Sequence, residues 1–431
     1  MSFSLILLLF LFIVLLLLRV PVWISMTTSC IVYLLMNNIP LVSITTMMGG
    51  GGITSYVLLA FPLYSLAGNV MNRGSVGKRI FDFASTNIGW IRGGLGHVNV
   101  LASMLFAGMS GTAIADISGL GAIEIKQMTE HGYDKEFSVG ITIASSVVGP
   151  IIPPSTAAIV YCVIAGQSVV DLFVGGFLPG ALMGLSLMIA IYIISGKRNY
   201  EVSKRPTFKE HLKSWGPVLP SLLTPLIILS GMFGGVFTPT EAAGVAVLYT
   251  AILSIFVYKD IKIKDFLVEI KNTAIFSAGI YLIIASASVF SFILTRENIS
   301  KTLLSVVMAS NLSTPVTIIL IALVILFLGC FLDGTTVMII VLPIVMPIVK
   351  ALNYDLVAFG IIVILSAVMG IMTPPFGLGL FIGSKITGLS FGKTTKATMP
   401  WLIPLAICVV LMIYFPRIVS LLPSILSRFT R

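Results

Sequence analysis

Apolar runs too long for a water-soluble core dominate this chain. The stretches 3–18, 22–36, 53–70, 137–165, 172–195, 217–235, 240–257, 273–294, 356–386 and 400–416 carry almost no charged residue. Several reach the roughly 20 residues that cross about 30 Å of hydrocarbon. Charged residues make up only 10% of the 431, against roughly 25% in soluble domains. Too little polar surface exists to face water, so the surrounding solvent is lipid. Backbone groups in lipid are satisfied only by helices or closed barrels, and continuous apolar runs lack the alternation of a barrel. The fold class expected is an all-α polytopic membrane protein.

Met1-Ser2-Phe3 has no positive charge and Arg19 follows the first run, the reverse of a signal peptide. Residues 3–18 are therefore read as a retained helix with its N-terminus outside. The net charge of +10 collects in short loops, as the positive-inside rule expects. The densest cluster, Lys197, Arg198, Lys204, Arg205, Lys209 and Lys213, marks a cytoplasmic linker. Alternating spans outward from it leaves only Arg296, Lys301, Lys350, Arg417, Arg428 and Arg431 outside, provided that 93–125 and 314–349 each enter and leave on one side. Cys30, Cys162, Cys330 and Cys408 are single residues in apolar helices, and His97, His131 and His211 are equally isolated, so no metal centre is expected.

A shift of 221 residues aligns the chain with itself. Leu105-Phe106-x-Gly108 falls on Leu326-Phe327-x-Gly329, and Gly149-x-x-x-Pro153-Pro154 falls on Gly370-x-x-x-Pro374-Pro375. Pro179 falls on Pro400. Each half reads as spanning helices, an amphipathic arm (71–92 and 295–310), a re-entrant hairpin (93–125 and 314–349), a helix broken by Pro-Pro and a closing span. With the arms on opposite faces the repeat is inverted, which points to a secondary transporter with its site near the midplane. The domains expected are scaffold helices over 1–70, a transport part over 71–195, a cytoplasmic linker over 196–216, scaffold helices over 217–294, and a second arm, hairpin, broken helix and final span over 295–431.

Paired prolines remove donors from a helix and leave carbonyls near Gly149–Ile152 and Gly370–Thr373 without helical partners. Such oxygens suit a hard cation such as Na⁺. At the hairpin tips stand Gly108-Met109-Ser110-Gly111-Thr112 with Asp116, and Asp333-Gly334-Thr335-Thr336. Intramembrane carboxylates are functional candidates by default, and a cap on the returning helix is the plainer role for Asp116. Arg296 beside the second hairpin has the fork to grip a carboxylate, or anchors the interface as Arg73 does. Glu241 after Thr238-Pro239-Thr240 reads as a helix cap. Gly49–Gly52 read as a flexible loop. Val76, Ile80, Phe83, Ala84 and Ile88, with Lys78, Arg79, Asp82 and Trp90, form an interfacial helix, and Ile299, Leu303, Val306 and Val307 repeat it. Such arms would brace a mobile unit against a fixed one.

The run Leu105-Phe106-Ala107-Gly108-Met109-Ser110-Gly111-Thr112-Ala113-Ile114-Ala115-Asp116, with Gly149-Pro150-Ile151-Ile152-Pro153-Pro154-Ser155, resembles the large membrane subunit of tripartite ATP-independent periplasmic (TRAP) transporters. Phe61-Pro62-Leu63, Ala67-Gly68-Asn69-Val70-Met71-Asn72, Pro239-Thr240-Glu241-Ala242 and Thr373-Pro374-Pro375 extend the likeness over essentially the whole chain, and within the family to the sialic-acid members. Thr112 departs from the Ser of many relatives but keeps the hydroxyl. The resemblance implies an elevator mechanism driven by Na⁺, a periplasmic binding protein that delivers the solute, and a small four-helix membrane subunit, here a separate chain because no span precedes 3–18. It implies one Na⁺ site at Ser110, Gly149, Ile152 and Pro154 and a second at Gly329, Gly370 and Thr373. The organic-acid substrate would lie between the hairpin tips, with Arg296, Asp333, Asp116 and Thr335 as candidate contacts. The inner membrane of a bacterium is the implied location.

Four other readings compete. A related carrier that works without a binding protein fits the same motifs, and a dicarboxylate or keto acid fits the same polarity. A channel would use hairpins, but Pro-Pro helices and arms favour a moving carrier. An intramembrane enzyme would need a nucleophile with its base, paired catalytic Asp or metal ligands, which Asp116, Asp333 and three scattered His do not supply.

Overall fold

The structure is a computed structural model that describes residues 2–49, 53–196, 198, 200 and 204–429, with side chains through Leu426. Gly50–Gly52, Lys197, Arg431 and the Arg428 side chain lie outside the described residues. Every regular element described is helical. The first half runs α1 (Phe3–Leu17), α2 (Val22–Met36), α3 (Val42–Met48), α4 (Ala60–Arg73), α5 (Val76–Ile88), α6 (Gly94–Ser110), α7 (Ala113–Ser118), α8 (Leu120–Glu130), α9 (Lys135–Ser146), α10 (Thr156–Ala165) and α11 (Val169–Ser195). The second runs α12 (Phe208–Phe233), α13 (Pro239–Ile252), α14 (Ile263–Arg296), α15 (Ile299–Ala309), α16 (Thr314–Gly329), α17 (Gly334–Ala351), α18 (Leu356–Met369), α19 (Leu378–Thr387), α20 (Phe391–Tyr414) and α21 (Arg417–Phe429).

The two halves repeat the same order of elements in part, with α7 and α8 together falling on the single helix α17. The 221-residue shift carries the start of α7, Ala113, onto that of α17, Gly334, and the start of α9, Lys135, onto that of α18, Leu356. Six described helices are long and apolar enough to cross a membrane, seven if the bent pair α9–α10 counts as one span. That pair turns by 45° at the Pro-Pro break. Before the break the backbone tightens into a 3₁₀ turn at Gly149–Ile151, and its partner does so at Gly370–Met372. Both Pro-Pro peptides, 153–154 and 374–375, are cis.

Three elements differ from expectation. α14 begins ten residues earlier than its apolar run, because Asp265 and Glu269 in its first turns pair with Arg73 at the end of α4 (2.7 and 2.6 Å). α17 continues for 18 residues through Pro343 and Pro347, long enough to span by itself. Prolines inside membrane helices are tolerated where neighbours re-satisfy the backbone. The two arms are also unequal. α5 buries Val76, Ile80, Phe83 and Ala84 between α6 and α12, whereas α15 buries no residue.

The core lies where the halves trade helices. α9 of the first half packs on α20 of the second, and α10 packs on α17 and α18. A Cβ on Gly140 would stand 2.4 Å from the Ala397 carbonyl oxygen and 2.7 Å from the Trp401 indole nitrogen. Gly360 meets the Tyr161 ring in the same way, at 2.6 Å, and Tyr161 Oη donates to the Leu356 carbonyl (2.6 Å). Cys30, Cys162, Cys330 and Cys408 are buried and free.

Glu241 does cap α13. Its Oε2 accepts from Thr238 N (2.8 Å) and Thr238 Oγ1 (2.7 Å), while Thr238 Oγ1 accepts from Glu241 N (3.3 Å). Thr238→Ala should therefore lower stability by about 1 kcal/mol without changing solute affinity, as thermal melting and binding assays would read.

Candidate functional site

The two hairpin tips meet at one cavity of about 380 Å³. The first tip contributes Ser110 to Ala115, and the second contributes Asp333, Gly334 and Thr335. Ser65, Asn69 and Asn72 on α4, with Asn272 and Phe276 on α14, close the other wall. Its volume falls within the roughly 300–1,000 Å³ typical of small-molecule sites.

Each tip is shaped by local chemistry. Gly111 ends α6 with φ +62°, the left-handed conformation that L side chains rarely adopt, and a Cβ there would press on the Pro154 carbonyl at 2.8 Å. Thr112 then caps α7 by accepting from Ala115 N (3.3 Å). At the second tip Asp333 caps α17 by accepting from Thr335 N (3.0 Å). Asp333 is the single charged residue among the described lining residues, and neither lysine nor arginine is among them.

The residues expected around the first ion come together in part. Ser110 is 4% exposed and its hydroxyl has no hydrogen-bond partner. Thr156 Oγ1 donates to the Gly111 carbonyl (3.4 Å), which holds the first tip against the Pro-Pro turn. Not every oxygen of that turn is free, however: Pro150 O accepts from the Ser155 hydroxyl (2.5 Å). In the second half Gly329 and Gly370 abut backbone to backbone, and a Cβ on Gly370 would lie 2.2 Å from the Gly329 carbonyl carbon. Gly370 O already accepts from Thr373 N (3.1 Å), and the Thr373 hydroxyl donates to Met369 O (2.9 Å). A carbonyl oxygen has two lone pairs, so one hydrogen bond still leaves capacity for a cation. Local turns thus give some of the carbonyls at the breaks protein partners, as Ser155 does for Pro150 and Thr373 for Gly370.

Two candidates lie elsewhere. Arg296 ends α14 on the exposed surface and does not line the cavity. Its neighbour Glu297 accepts from Ser2 Oγ (2.8 Å) and Tyr33 Oη (2.6 Å), fixing that helix end to α1 and α2. Asp116 is 2% exposed, sits behind the tip and does not cap α7; Thr112 does. Asn69, Asn72 and Ser65 line the cavity without being among the contacts expected from the sequence. Their spacing of seven and fewer on one apolar helix was the available signal, since polar residues three and four apart share a face. Asn69 Nδ2 donates to Thr273 Oγ1 (3.1 Å) and Asn72 Nδ2 to the Ala115 carbonyl (3.3 Å), so α4 touches both α14 and the first tip.

Residues 9–418 match the family described as "Tripartite ATP-independent periplasmic transporter, DctM component". The sialic acid TRAP transporter large permease protein SiaM of Vibrio cholerae is 37% identical over 94% of this chain and 95% of its own. The sialic acid TRAP transporter permease protein SiaT of Haemophilus influenzae is 38% identical over 94% of this chain, which spans 66% of that longer protein. The C4-dicarboxylate TRAP transporter large permease protein DctM of Pseudomonas aeruginosa is 37% identical over 86% of each. The solved Alcanivorax borkumensis YdaH transporter superposes with a TM-score of 0.62 over 86% of this chain and 87% of that one, at 14% identity. Neisseria gonorrhoeae MtrF gives 0.58 over 86% and 83%, at 10%. At such identities the two structures speak to the fold alone.

Proposed function

Because the chain belongs to the DctM family of TRAP large permeases, we propose that it imports sialic acid across a bacterial inner membrane by an Na⁺-driven elevator movement. A periplasmic binding protein delivers the acid, a small four-helix membrane subunit braces the scaffold, and the N-terminus faces the periplasm. The carrying observation is the cavity between the two tips, with one carboxylate and no cation along its described lining. An anionic solute meets net repulsion there unless positive charge enters with it. Ser110 with the first Pro-Pro turn, and Gly329 with Gly370 and Thr373, stand on either side as places for that charge. One Na⁺ moving down 100 mV contributes about 2.3 kcal/mol, so two ions suffice to concentrate a monoanion substantially. Asp333 and Thr335 would hold the solute or an ion, and Asn69, Asn72 and Asn272 offer amide donors and acceptors to its hydroxyls. Movement of the tips against α4 and α14 would carry the cavity from one face to the other.

A C4-dicarboxylate is the second reading, favoured by the equal identity to the Pseudomonas permease. Radiolabelled sialic acid uptake into proteoliposomes bearing the chain, its small subunit and the binding protein separates the two. Uptake that requires both the Na⁺ gradient and the binding protein, and that unlabelled succinate leaves unchanged, is expected. Uptake of succinate in place of sialic acid transfers the reading to dicarboxylates, and uptake indifferent to the binding protein removes the tripartite scheme.

A further inference from the structure

Behind the first tip, away from the cavity, two carboxylates are sealed inside protein. Glu124 on α8 is 0% exposed and Asp116 on α7 is 2% exposed. They are joined by a chain of polar side chains from α6 and α9. Asn99 Nδ2 donates to Glu124 Oε2 (2.8 Å) and Thr142 Oγ1 (2.7 Å), and Asn99 Oδ1 accepts from Ser145 Oγ (2.7 Å). Ser103 lies beside Asp116 but gives its one proton to Ser145 Oγ (3.0 Å). Asn99, Ser103 and Ser145 thus spend their protons on one another, on Thr142 and on Glu124 Oε2. Glu124 Oε1 and both oxygens of Asp116 are buried with no hydrogen-bond partner.

Among the described residues no cation answers them: on α4 Arg73 pairs with Asp265 and Glu269, and on α19 Lys385 is exposed. The charged group that acts on Glu124 is Asp116, of the same sign. On α5, Arg79 donates to Ser75 Oγ (2.9 Å) and lies 4.0 Å from the Tyr258 ring, while Lys78 flanks Asp82. On α8 itself Lys126 pairs with Glu130 (3.9 Å) at the surface. On α9 Lys135 donates to the Thr387 carbonyl (3.3 Å) and Glu136 is exposed; on α6 His97 contacts the Arg92 carbonyl (3.1 Å). Two ionised carboxylates so placed would face each other across a dry interior with three unsatisfied oxygens, an arrangement that buried charges avoid.

We propose that Glu124 and Asp116 form a proton-binding site inside the hairpin unit, with at least one proton held by the pair at neutral pH. A proton removes one of the like charges and turns an orphan acceptor into a donor, and it needs no further ligand. A metal ion would need several more oxygens, and among the described residues no third acidic, histidine or cysteine side chain joins the pair. Because the pair titrates as a unit, the proton belongs to both residues. It sits in the unit that carries the cavity, independently of which acid the cavity takes.

Infrared difference spectroscopy on the full chain in lipid nanodiscs at neutral pH tests this without reference to transport. The wild type minus Glu124→Gln spectrum is expected to show a protonated-carboxyl C=O band that shifts in D₂O, and Asp116→Asn is expected to alter the same band. Gln and Asn keep size and hydrogen bonding, and the second variant serves if the first does not fold. Two results overturn the proposal: difference spectra with no such band for either variant, or a band lost when Na⁺ is added at constant pH, which would make the pair a cation site.

Discussion

Gly370→Val is expected to reduce uptake to background and to lower the melting temperature of the purified protein sharply. The added carbons would enter space held by the Gly329 backbone, with the first already 2.2 Å from its carbonyl carbon. No rotamer relieves a clash with main chain, so the second hairpin must separate from its broken helix. Overpacking typically costs about 1–3 kcal/mol, and this site lies at or above the upper end. The same separation would pull apart the residues proposed for the second ion, so Na⁺ dependence should fail even in protein that still folds. Gly392→Ala on α20 is the control: nothing lies within 4 Å of its added carbon. It should leave uptake intact and stabilise the helix by up to about 1 kcal/mol. Equal damage from both substitutions would remove close packing as the explanation.

Asp333 offers the second large effect, through a pair of variants that separate two roles. As the cap of α17 it accepts from Thr335 N, and Asn performs that role nearly as well. Asp333→Asn should therefore keep the melting temperature, yet lower sialic acid uptake at least tenfold, because the carboxylate that would hold a cation beside the anionic solute is gone. Asp333→Ala should lose both uptake and about 1 kcal/mol of stability. Should Asp333→Asn transport at the wild-type rate, the carboxylate serves as a cap only, and neither the solute nor an ion depends on its charge.

Much of this architecture was readable from the chain because lipid leaves so few alternatives. Long apolar runs had to be helices, Pro153-Pro154 and Pro374-Pro375 had to break them, and Gly111 and Asp333 marked turns where a hairpin reverses. What escaped were features defined by several elements at once. Glu124 stands between Ile123 and Ile125 with no motif around it, and only the convergence of α6, α7, α8 and α9 shows that it is sealed in. The polar start of α14 lies outside the apolar run 273–294, and Arg73, far away in sequence, supplies partners for Asp265 and Glu269. Arg296 was attractive because it neighbours the second hairpin in sequence. The fold instead places it at an outer helix end, where Glu297 is bound by Ser2 and Tyr33.

The exchange of helices between halves also bears on how the chain is made. α9 and α10 finish synthesis long before α18 and α20, whose surfaces complete their packing. Lys135 and the Thr387 carbonyl that it reaches are 252 residues apart. During that interval a broken helix with exposed main-chain oxygens waits in the bilayer or the insertion machinery without its lid, a state that lipid penalises heavily. A ribosome stalled after the linker would leave a half-protein whose glycine faces, Gly140 foremost, have nothing to rest on. Quality-control proteases should clear such a fragment quickly, and supplying the missing half as a separate polypeptide should rescue it.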